Sequence, residues 1–353
     1  MTMLSPISLS SIADAQFEQD VSRRLEALES RQTQQAQQSR VDASSFLEAF
    51  VFSGLVQVQA HFGETQDNRS TSDLRVDTVE LGMAAALNSN VSAELVLLYE
   101  EGETDLGVDV ATLTFREMVG DLNGYVGKQY LPFGAFETAL VNDTLVLELA
   151  EINKTAVQVG SRIHHGEWGA YLFDGDVDRE NHVENWGLTF ARVETDWQVG
   201  VDYLSSLAES DGFATVVDDT GLILEDSASA ITLSGQWTLG ELSVLGEYLT
   251  SLGTLQYDDG LNGIHFKPRA LQLELDYTAA IQQQAWTFAI AWQQTENVAG
   301  FIPRQRFSVG GATDLFPGVS TGMEFWYDTN YSESDGGSGE NSMNLVVQIS
   351  AEF

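Results

Sequence analysis

The chain has 353 residues, with 53 Asp or Glu against 16 Lys or Arg, so its formal net charge is −37 at pH 7. This excess of negative charge argues against a nucleic-acid partner, because Lys and Arg bind a phosphate backbone. Cysteine is absent, which excludes disulfides and thiolate sites. No segment approaches the ~20 uncharged apolar residues of a membrane-spanning helix, so a soluble all-β protein and a membrane β-barrel remain.

The first residues are expected to carry an export signal. Ala13-Asp14-Ala15 has the small-residue pattern of a signal-peptide cleavage site, although residues 1–15 contain no basic start and only a weak apolar run. We interpret residues 1–15 as the remnant of a signal peptide whose beginning is missing. The mature chain is then expected to begin near Gln16.

The next segment is predicted to be helical, since residues 17–40 lack Gly and Pro. Five side chains follow the apolar seam of a coiled coil: Val21, Leu25, Leu28, Gln32 and Gln35. We predict a periplasmic coiled-coil helix and linker over residues 16–45, which can assemble a homotrimer through residues 17–40. A single amphipathic helix on the periplasmic face is the alternative, because only two heptads are apolar.

From residue 46 onwards the apolar period changes to two. In residues 284–294 large side chains alternate with small ones: Trp286, Phe288, Ile290 and Trp292 against Ala285, Thr287, Ala289 and Ala291. Large apolar residues facing lipid, with Trp at both ends, are typical of a transmembrane barrel strand. The final strand alternates in the same way and ends in an outward-facing Phe353, the feature that the barrel-assembly machinery recognises.

This alternation predicts sixteen strands, beginning near residues 47, 73, 90, 106, 121, 155, 166, 183, 195, 228, 240, 266, 282, 304, 315 and 341. Links after even strands are short: Asn88-Ser89-Asn90, Val119-Gly120, His165-Gly166, Glu194-Thr195, Leu239-Gly240, Ala280-Ile281 and Gly311-Ala312. Links after odd strands are mostly longer and polar, such as residues 210–226. Short periplasmic turns that alternate with long external loops are typical of an outer-membrane barrel.

We therefore predict an all-β fold, a sixteen-stranded antiparallel transmembrane β-barrel over residues 46–353, with the short helical extension before it. Its expected location is the outer membrane of a Gram-negative bacterium, surrounded by lipid and lipopolysaccharide. A barrel of this size leaves an aqueous channel, whereas about eight strands would be filled by side chains. The fold therefore predicts a pore.

The third external link, residues 131–154, is the longest and is rich in apolar residues. A solvent-exposed loop would not carry so many apolar residues, but a loop folded into the barrel can pack them on the inner wall. We therefore predict that this loop narrows the channel. Its candidate solute-binding and constriction residues are Phe136, Glu137, Asp143, Glu148, Glu151 and Lys154.

Strand parity places four basic side chains inside the predicted lumen: Arg116, Arg162, Arg304 and Arg306. A transverse field between the acidic loop and these wall arginines would orient a polar solute at the narrowest point. The alternative is that the arginines pair with lumen carboxylates and hold the loop in place.

Three stretches in and around this loop carry a family resemblance. They are Gln129-Tyr130-Leu131-Pro132-Phe133-Gly134-Ala135-Phe136-Glu137-Thr138, Thr144-Leu145-Val146-Leu147-Glu148-Leu149-Ala150-Glu151 and Thr155-Ala156-Val157-Gln158-Val159-Gly160. The chain here resembles the LbtU-type siderophore porins. The resemblance implies a periplasmic coiled coil, a sixteen-stranded barrel without a plug domain, and passive uptake of a ferric siderophore as the small-molecule solute.

Two other functions remain open. One is a general or nutrient-specific diffusion porin with cation preference, which the acidity favours. The other is a structural or adhesive barrel whose acidic loops bind divalent ions. The sequence contains no nucleophile elbow, phosphate loop or zinc-protease motif. We therefore expect no catalytic residues, no metal site and no cofactor.

Overall fold

The computed structural model describes residues 50–64, 70–177, 183–258 and 263–353 of the chain. The predicted signal remnant at 1–15 and the predicted coiled coil and linker at 16–45 lie outside the described residues. Within the described part, no helix is long and apolar enough to cross a membrane.

The described residues form nineteen strands, numbered in chain order. They are β1 Phe50–Glu64, β2 Ser70–Ala86, β3 Val91–Glu100, β4 Thr104–Val119, β5 Leu122–Tyr130, β6 Asn153–Ile163, β7 Gly166–Phe173, β8 Asn185–Val193, β9 Trp197–Leu204, β10 Ile223–Asp226, β11 Ala230–Leu239, β12 Leu242–Ser251, β13 Leu255–Asp258, β14 Ile264–Phe266, β15 Arg269–Ile281, β16 Gln284–Glu296, β17 Gln305–Phe316, β18 Val319–Thr329 and β19 Asn341–Glu352. Two α-helices lie between them, α1 Leu145–Ala150 and α2 Asp211–Thr220.

Sixteen of these strands close into an antiparallel barrel, and β10, β13 and β14 form a separate three-stranded sheet. The barrel closes where β1 pairs with β19, with Val56 opposite Ala351. Backbone hydrogen bonds in both directions between Gly54 and Phe353 extend this seam. The prediction of a sixteen-stranded barrel is confirmed.

Two of the predicted short links were wrong in position. The turn after β15 is formed by Gln282 and Gln283, which both have positive φ, and not by Ala280-Ile281. Glutamine seldom takes such positions, so no residue type there indicated a turn. Gly311-Ala312 lies inside β17, paired with β16 and β18. The chain turns instead between β17 and β18, where Gly318 has positive φ.

The alternation in β16 is confirmed. Phe288 and Ile290 are 41% and 48% exposed on the outer face, whereas Ala289 and Ala291 are 1% exposed on the inner face. Because apolar side chains on the outside contact lipid in a membrane barrel, this exposure stabilises the protein only in that environment.

The external links carry structure that was not predicted. Residues 210–226 were expected to form a polar loop, but they contain α2, whose Phe213 is buried, and the strand β10. Together with β13 and β14 these elements form what we call the external cap. Its buried side chains include Leu255, Tyr257 and Phe266, and they share one apolar core with the loop between β5 and β6.

The lipid-facing pattern yields a test. Ile290→Arg places a charge in the middle of β16 and is expected to cost about 2–4 kcal/mol in the free energy of unfolding. Leu239→Arg, at the end of β11, is the matched control and should cost about 0–1 kcal/mol. Urea unfolding of both variants in lipid vesicles measures the difference. Equal costs at the two positions would contradict a membrane-spanning arrangement.

Candidate constriction of the channel

Residues 131–152 join β5 to β6 and are here called the third loop. The loop folds inward and runs along the inner wall, touching in turn residues of β9, β12, β15 and β18. It then returns through the short helix α1, whose first turn is capped by the Thr144 hydroxyl, which accepts a hydrogen bond from the Leu147 amide.

Carboxylates on the barrel wall hold the first half of the loop. The Gly134 amide donates to Asp202 of β9 over 3.0 Å. The Ala135 and Phe136 amides donate to the two oxygens of Glu247 on β12, each over 2.8 Å. Each of these bonds ends on an oxygen of an acidic side chain, the stronger class of protein hydrogen bond.

The second half of the loop is held in the same way. Glu274 on β15 accepts from the Ala139 amide over 2.6 Å and from the Thr138 hydroxyl over 2.7 Å. Glu324 on β18 accepts from the amides of Val141 and Asn142 over 2.9 and 2.8 Å. These four side chains, Asp202, Glu247, Glu274 and Glu324, are here called the wall carboxylates. Hydrogen bonds to charged groups contribute about 1.5–3 kcal/mol each, so together they fix the loop firmly.

Small residues of the wall receive the apolar side chains of the loop. Ala139 and Leu140 pack with Ala289 and Ala291 of β16 in one buried cluster. Gly310 of β17 lies under Leu140, where an added Cβ would stand 2.7 Å from the leucine Cδ2 and 2.9 Å from a backbone oxygen. The small inward residues of these strands therefore make room for the loop.

The external cap covers the other side of the loop. Phe133 and Leu149 of the third loop belong to the same buried core as the cap residue Phe213. At Gly212 an added Cβ would stand 2.1 Å from the backbone oxygen of Glu148, so α1 and α2 approach as closely as backbone allows. The loop is thus fixed by polar bonds to the wall and by apolar packing to the cap.

Arg306 reaches the loop, Lys154 follows it on β6, and both are ion-paired. Arg306 of β17 binds both oxygens of Asp328, over 2.9 and 3.2 Å, and approaches Glu148 to 3.3 Å. Lys154 at the start of β6 pairs with Asp176 over 2.7 Å. Their positive charges are therefore offset locally.

The structure places the other three arginines away from the loop. Arg116 lies near the periplasmic turn after β2, where its amide donates to the Asn90 carbonyl. Arg162 is exposed near the turn between β6 and β7 and donates to Glu167. Arg304 lies at the external end of the barrel, just before β17, and its carbonyl accepts from the Thr295 amide.

Five of the residues predicted as the constriction lie on the third loop, and their surroundings differ. Phe136 has positive φ and packs against the apolar core, while Asp143 is exposed.

Burial raises the pKa of Glu148, an effect that Arg306 opposes. Burial and the nearby Glu274 raise the pKa of Glu137. Glu151, at the end of α1, accepts from the Asp211 amide through its backbone carbonyl.

The third loop covers the wall on the side of β9 to β18. Because these contacts lie on that side, we expect the passage to run between the loop and the wall formed by β1 to β6. Inward side chains on that wall include Gln57 and Gln59 of β1, Glu80 of β2 and Glu94 of β3. Both sides of the passage thus carry carboxylates.

Sequence reasoning missed the wall carboxylates. It proposed arginines as the wall partners of the loop, whereas the loop presents mainly backbone amides, which need acceptors. A signal was present, because Asp202, Glu247, Glu274 and Glu324 each share the inward parity of their strand. A carboxylate on the inner face of four strands near one loop indicates amide donors opposite it.

Comparison with solved structures shows what the barrel is similar to. It superposes on the anion-selective porin from Comamonas acidovorans with a TM-score of 0.62 and 11% identity, covering 86% of this chain and 99% of that one. The outer membrane channel DcaP of Acinetobacter baumannii gives a TM-score of 0.60 and 9% identity, covering 86% and 97%. The fold is that of the outer-membrane porins.

The proteins related to this chain in sequence share low identity with it. A UPF0422 protein from Coxiella burnetii is 22% identical over 313 residues, which is 82% of this chain and 66% of that protein. A UPF0422 protein from Legionella pneumophila is 24% identical over 311 residues, 79% of this chain and 59% of that protein. The alignments thus span about three-fifths to two-thirds of the relatives' length. No family model matches the chain.

The anchoring of the loop yields a test. Glu324→Ala removes the acceptor of the Val141 and Asn142 amides, and each unsatisfied amide costs about 1–3 kcal/mol. We expect the loop to detach locally, which raises single-channel conductance and current noise in a planar bilayer. Asp314→Ala, an exposed carboxylate on the adjacent β17, is the control and should leave both unchanged. Wild-type conductance and noise in Glu324→Ala would contradict the anchoring role.

Proposed function

We propose that this porin is a passive, cation-preferring diffusion channel for small solutes. One observation carries the proposal. The third loop carries the acidic residues Glu137 and Asp143, while Arg306 and Lys154 are held in ion pairs. A passage lined by one sign of charge with low-dielectric walls concentrates counter-ions of the opposite sign.

The opposite wall supports the same preference. Glu80 and Glu94 face inward on β2 and β3, so a solute that passes the loop meets carboxylates on both sides. The net charge of −37 gives the whole channel a negative field at its mouths. Anions would pass this field at a cost, and cations would be drawn into it.

Uptake of a ferric siderophore is the finer hypothesis within this function. Its support is that the stretches resembling the LbtU-type siderophore porins form the third loop and the strands beside it. If a siderophore is the cargo, the acidic passage favours a neutral or cationic ferric complex over an anionic one. In this hypothesis the third loop, which the wall carboxylates hold in place, narrows the pore in place of a plug domain.

The ion preference is tested by reversal potentials. In a planar bilayer with a KCl gradient, the wild-type protein should pass K⁺ in preference to Cl⁻. The double variant Glu137→Gln/Asp143→Asn should lower the K⁺/Cl⁻ permeability ratio several-fold, because it removes two charges beside the passage. Asp335→Asn/Glu340→Gln makes the same charge change in the external loop before β19 and is the control.

Each result has a clear meaning. Conductance with Cl⁻ preference would contradict the proposed cation channel. An absence of conductance steps from folded protein would overturn the channel itself and leave the structural or adhesive barrel as the function.

The siderophore hypothesis is tested by growth under iron limitation. A deletion strain should grow more slowly than its parent when a neutral ferric hydroxamate is the iron source, and a plasmid copy should restore growth. The two strains should grow equally on excess ferrous salt. Equal growth on the ferric hydroxamate would count against siderophore uptake while leaving the diffusion channel intact.

A further inference from the structure

A cavity of about 260 Å³ lies on the periplasmic side of the third loop. Its roof is formed by loop residues, including Pro132 and Glu137, and its walls by residues of β7, β8, β9, β11, β12 and β15. It extends toward Gln198 and Gln236, which lie near the periplasmic ends of β9 and β11. These lining residues place the cavity on the inner side of the barrel wall.

Two acceptor groups at this cavity lack partners in the described part of the chain. The Gln272 side chain is 1% exposed, and its Oε1 has no hydrogen-bond donor there. The orientation of this amide is fixed, because its Nε2 donates to the Glu137 carbonyl over 3.0 Å and to Glu274. A buried polar atom without a partner is costly, so a ligand that supplies a donor would remove the cost.

The second group is the carboxylate of Glu137. The described residues offer it neither a hydrogen bond nor an ion pair, and the charged groups near it include the carboxyl groups of Glu247, Glu274 and Asp276. Its own backbone is fixed by the bond from Gln272, so the side chain is positioned without being neutralised. Both unpartnered groups accept hydrogen bonds, and neither donates.

The other charged residues of the lining are also acidic. Glu247 and Asp202 line the cavity, with their oxygens committed to loop amides. Glu167 lines it with Arg162 as its partner. The Gln198 amide donates to Gln236 over 3.0 Å, so these two side chains satisfy each other in part. Lysine and arginine do not line this cavity within the described residues.

We infer that this cavity is a binding subsite for a small organic cation, one that carries an ammonium or guanidinium group bound by the Glu137 carboxylate and Gln272 Oε1. Such groups present several N–H donors and a positive charge, which matches one carboxylate and one amide oxygen. The inference deepens the proposed cation-preferring channel by naming a solute class, and it rests on that function for the route of entry.

The test uses the full-length protein, purified and folded in detergent, with agmatine as the probe. Agmatine carries a guanidinium and a primary ammonium group, n-butylurea is a neutral comparison and glutarate an anionic one. Isothermal titration calorimetry at fixed ionic strength should show agmatine binding at least tenfold more tightly than n-butylurea, with glutarate not binding.

The variants locate the binding. Glu137→Gln is nearly isosteric and should weaken agmatine binding about tenfold or more, since it removes one charged hydrogen bond. Gln272→Met should also weaken it, whereas Glu340→Gln, an exposed external carboxylate, should match the parent. Heat-modifiable migration on SDS gels verifies that each barrel is folded. If Gln272→Met fails to fold, Glu137→Gln decides alone.

Two results would overturn the inference: agmatine binding no tighter than n-butylurea, or unchanged agmatine binding in Glu137→Gln. Calorimetry needs no conductance, so this failure is separable from failure of the proposed function. Cation-selective currents without agmatine binding would contradict the proposed subsite and support the proposed channel. Agmatine binding without conductance would contradict the proposed channel and support the proposed subsite.

Discussion

The structure depends on hydrogen bonds from the backbone of the third loop to carboxylates of the barrel wall. A chain segment inside a barrel carries amides that lose contact with water, and these must find acceptors. Glu247, Glu274 and Glu324 supply them, spaced along the loop on three strands. The arrangement fixes where the loop lies, and thereby the side of the barrel on which a passage remains.

This solution has an electrostatic consequence. An acidic side chain that accepts from amides is stabilised by their dipoles, which do not cancel its negative charge. The loop adds Glu137 and Asp143 near the wall carboxylates, and Arg306 is already shared between Asp328 and Glu148. Anchoring the loop and making the passage acidic therefore follow from the same residues, which connects the narrowing of the pore to its expected preference for cations.

Much of the fold was predictable because its rule is local. Each strand alternates with period two, so the lipid face of β16 and the strand count followed from the order of residues alone. The turn at Gln282-Gln283 did not, because its positive φ values come without Gly or Asn. The external cap was missed as well, since α2 buries Phe213 against partners far away in sequence.

The candidate site was predictable in place but not in bonding. Apolar composition located the loop inside the barrel, yet composition cannot show that loop amides, and not loop carboxylates, face the wall. Arg306 was found by parity, and the same parity at Arg116 and Arg162 gave no information on height along the barrel axis. The distance of each arginine from the third loop depends on strand tilt and register. Only the pairing of the strands in the folded barrel reveals these.

The most direct test of the loop's position is a disulfide cross-link, since the chain has no cysteine of its own. Ala139 and Ala291 belong to one buried cluster. Glu274 accepts a hydrogen bond from the Ala139 amide and lies opposite Ala291 in the pairing of β15 with β16. Ala139→Cys/Ala291→Cys should oxidise to an internal disulfide in the folded barrel, whereas Ala139→Cys/Thr114→Cys, which reaches to β4 across the lumen, should stay reduced. Folded protein in which the first pair fails to cross-link, or the second forms a disulfide as readily, would contradict a loop anchored to the wall carboxylates.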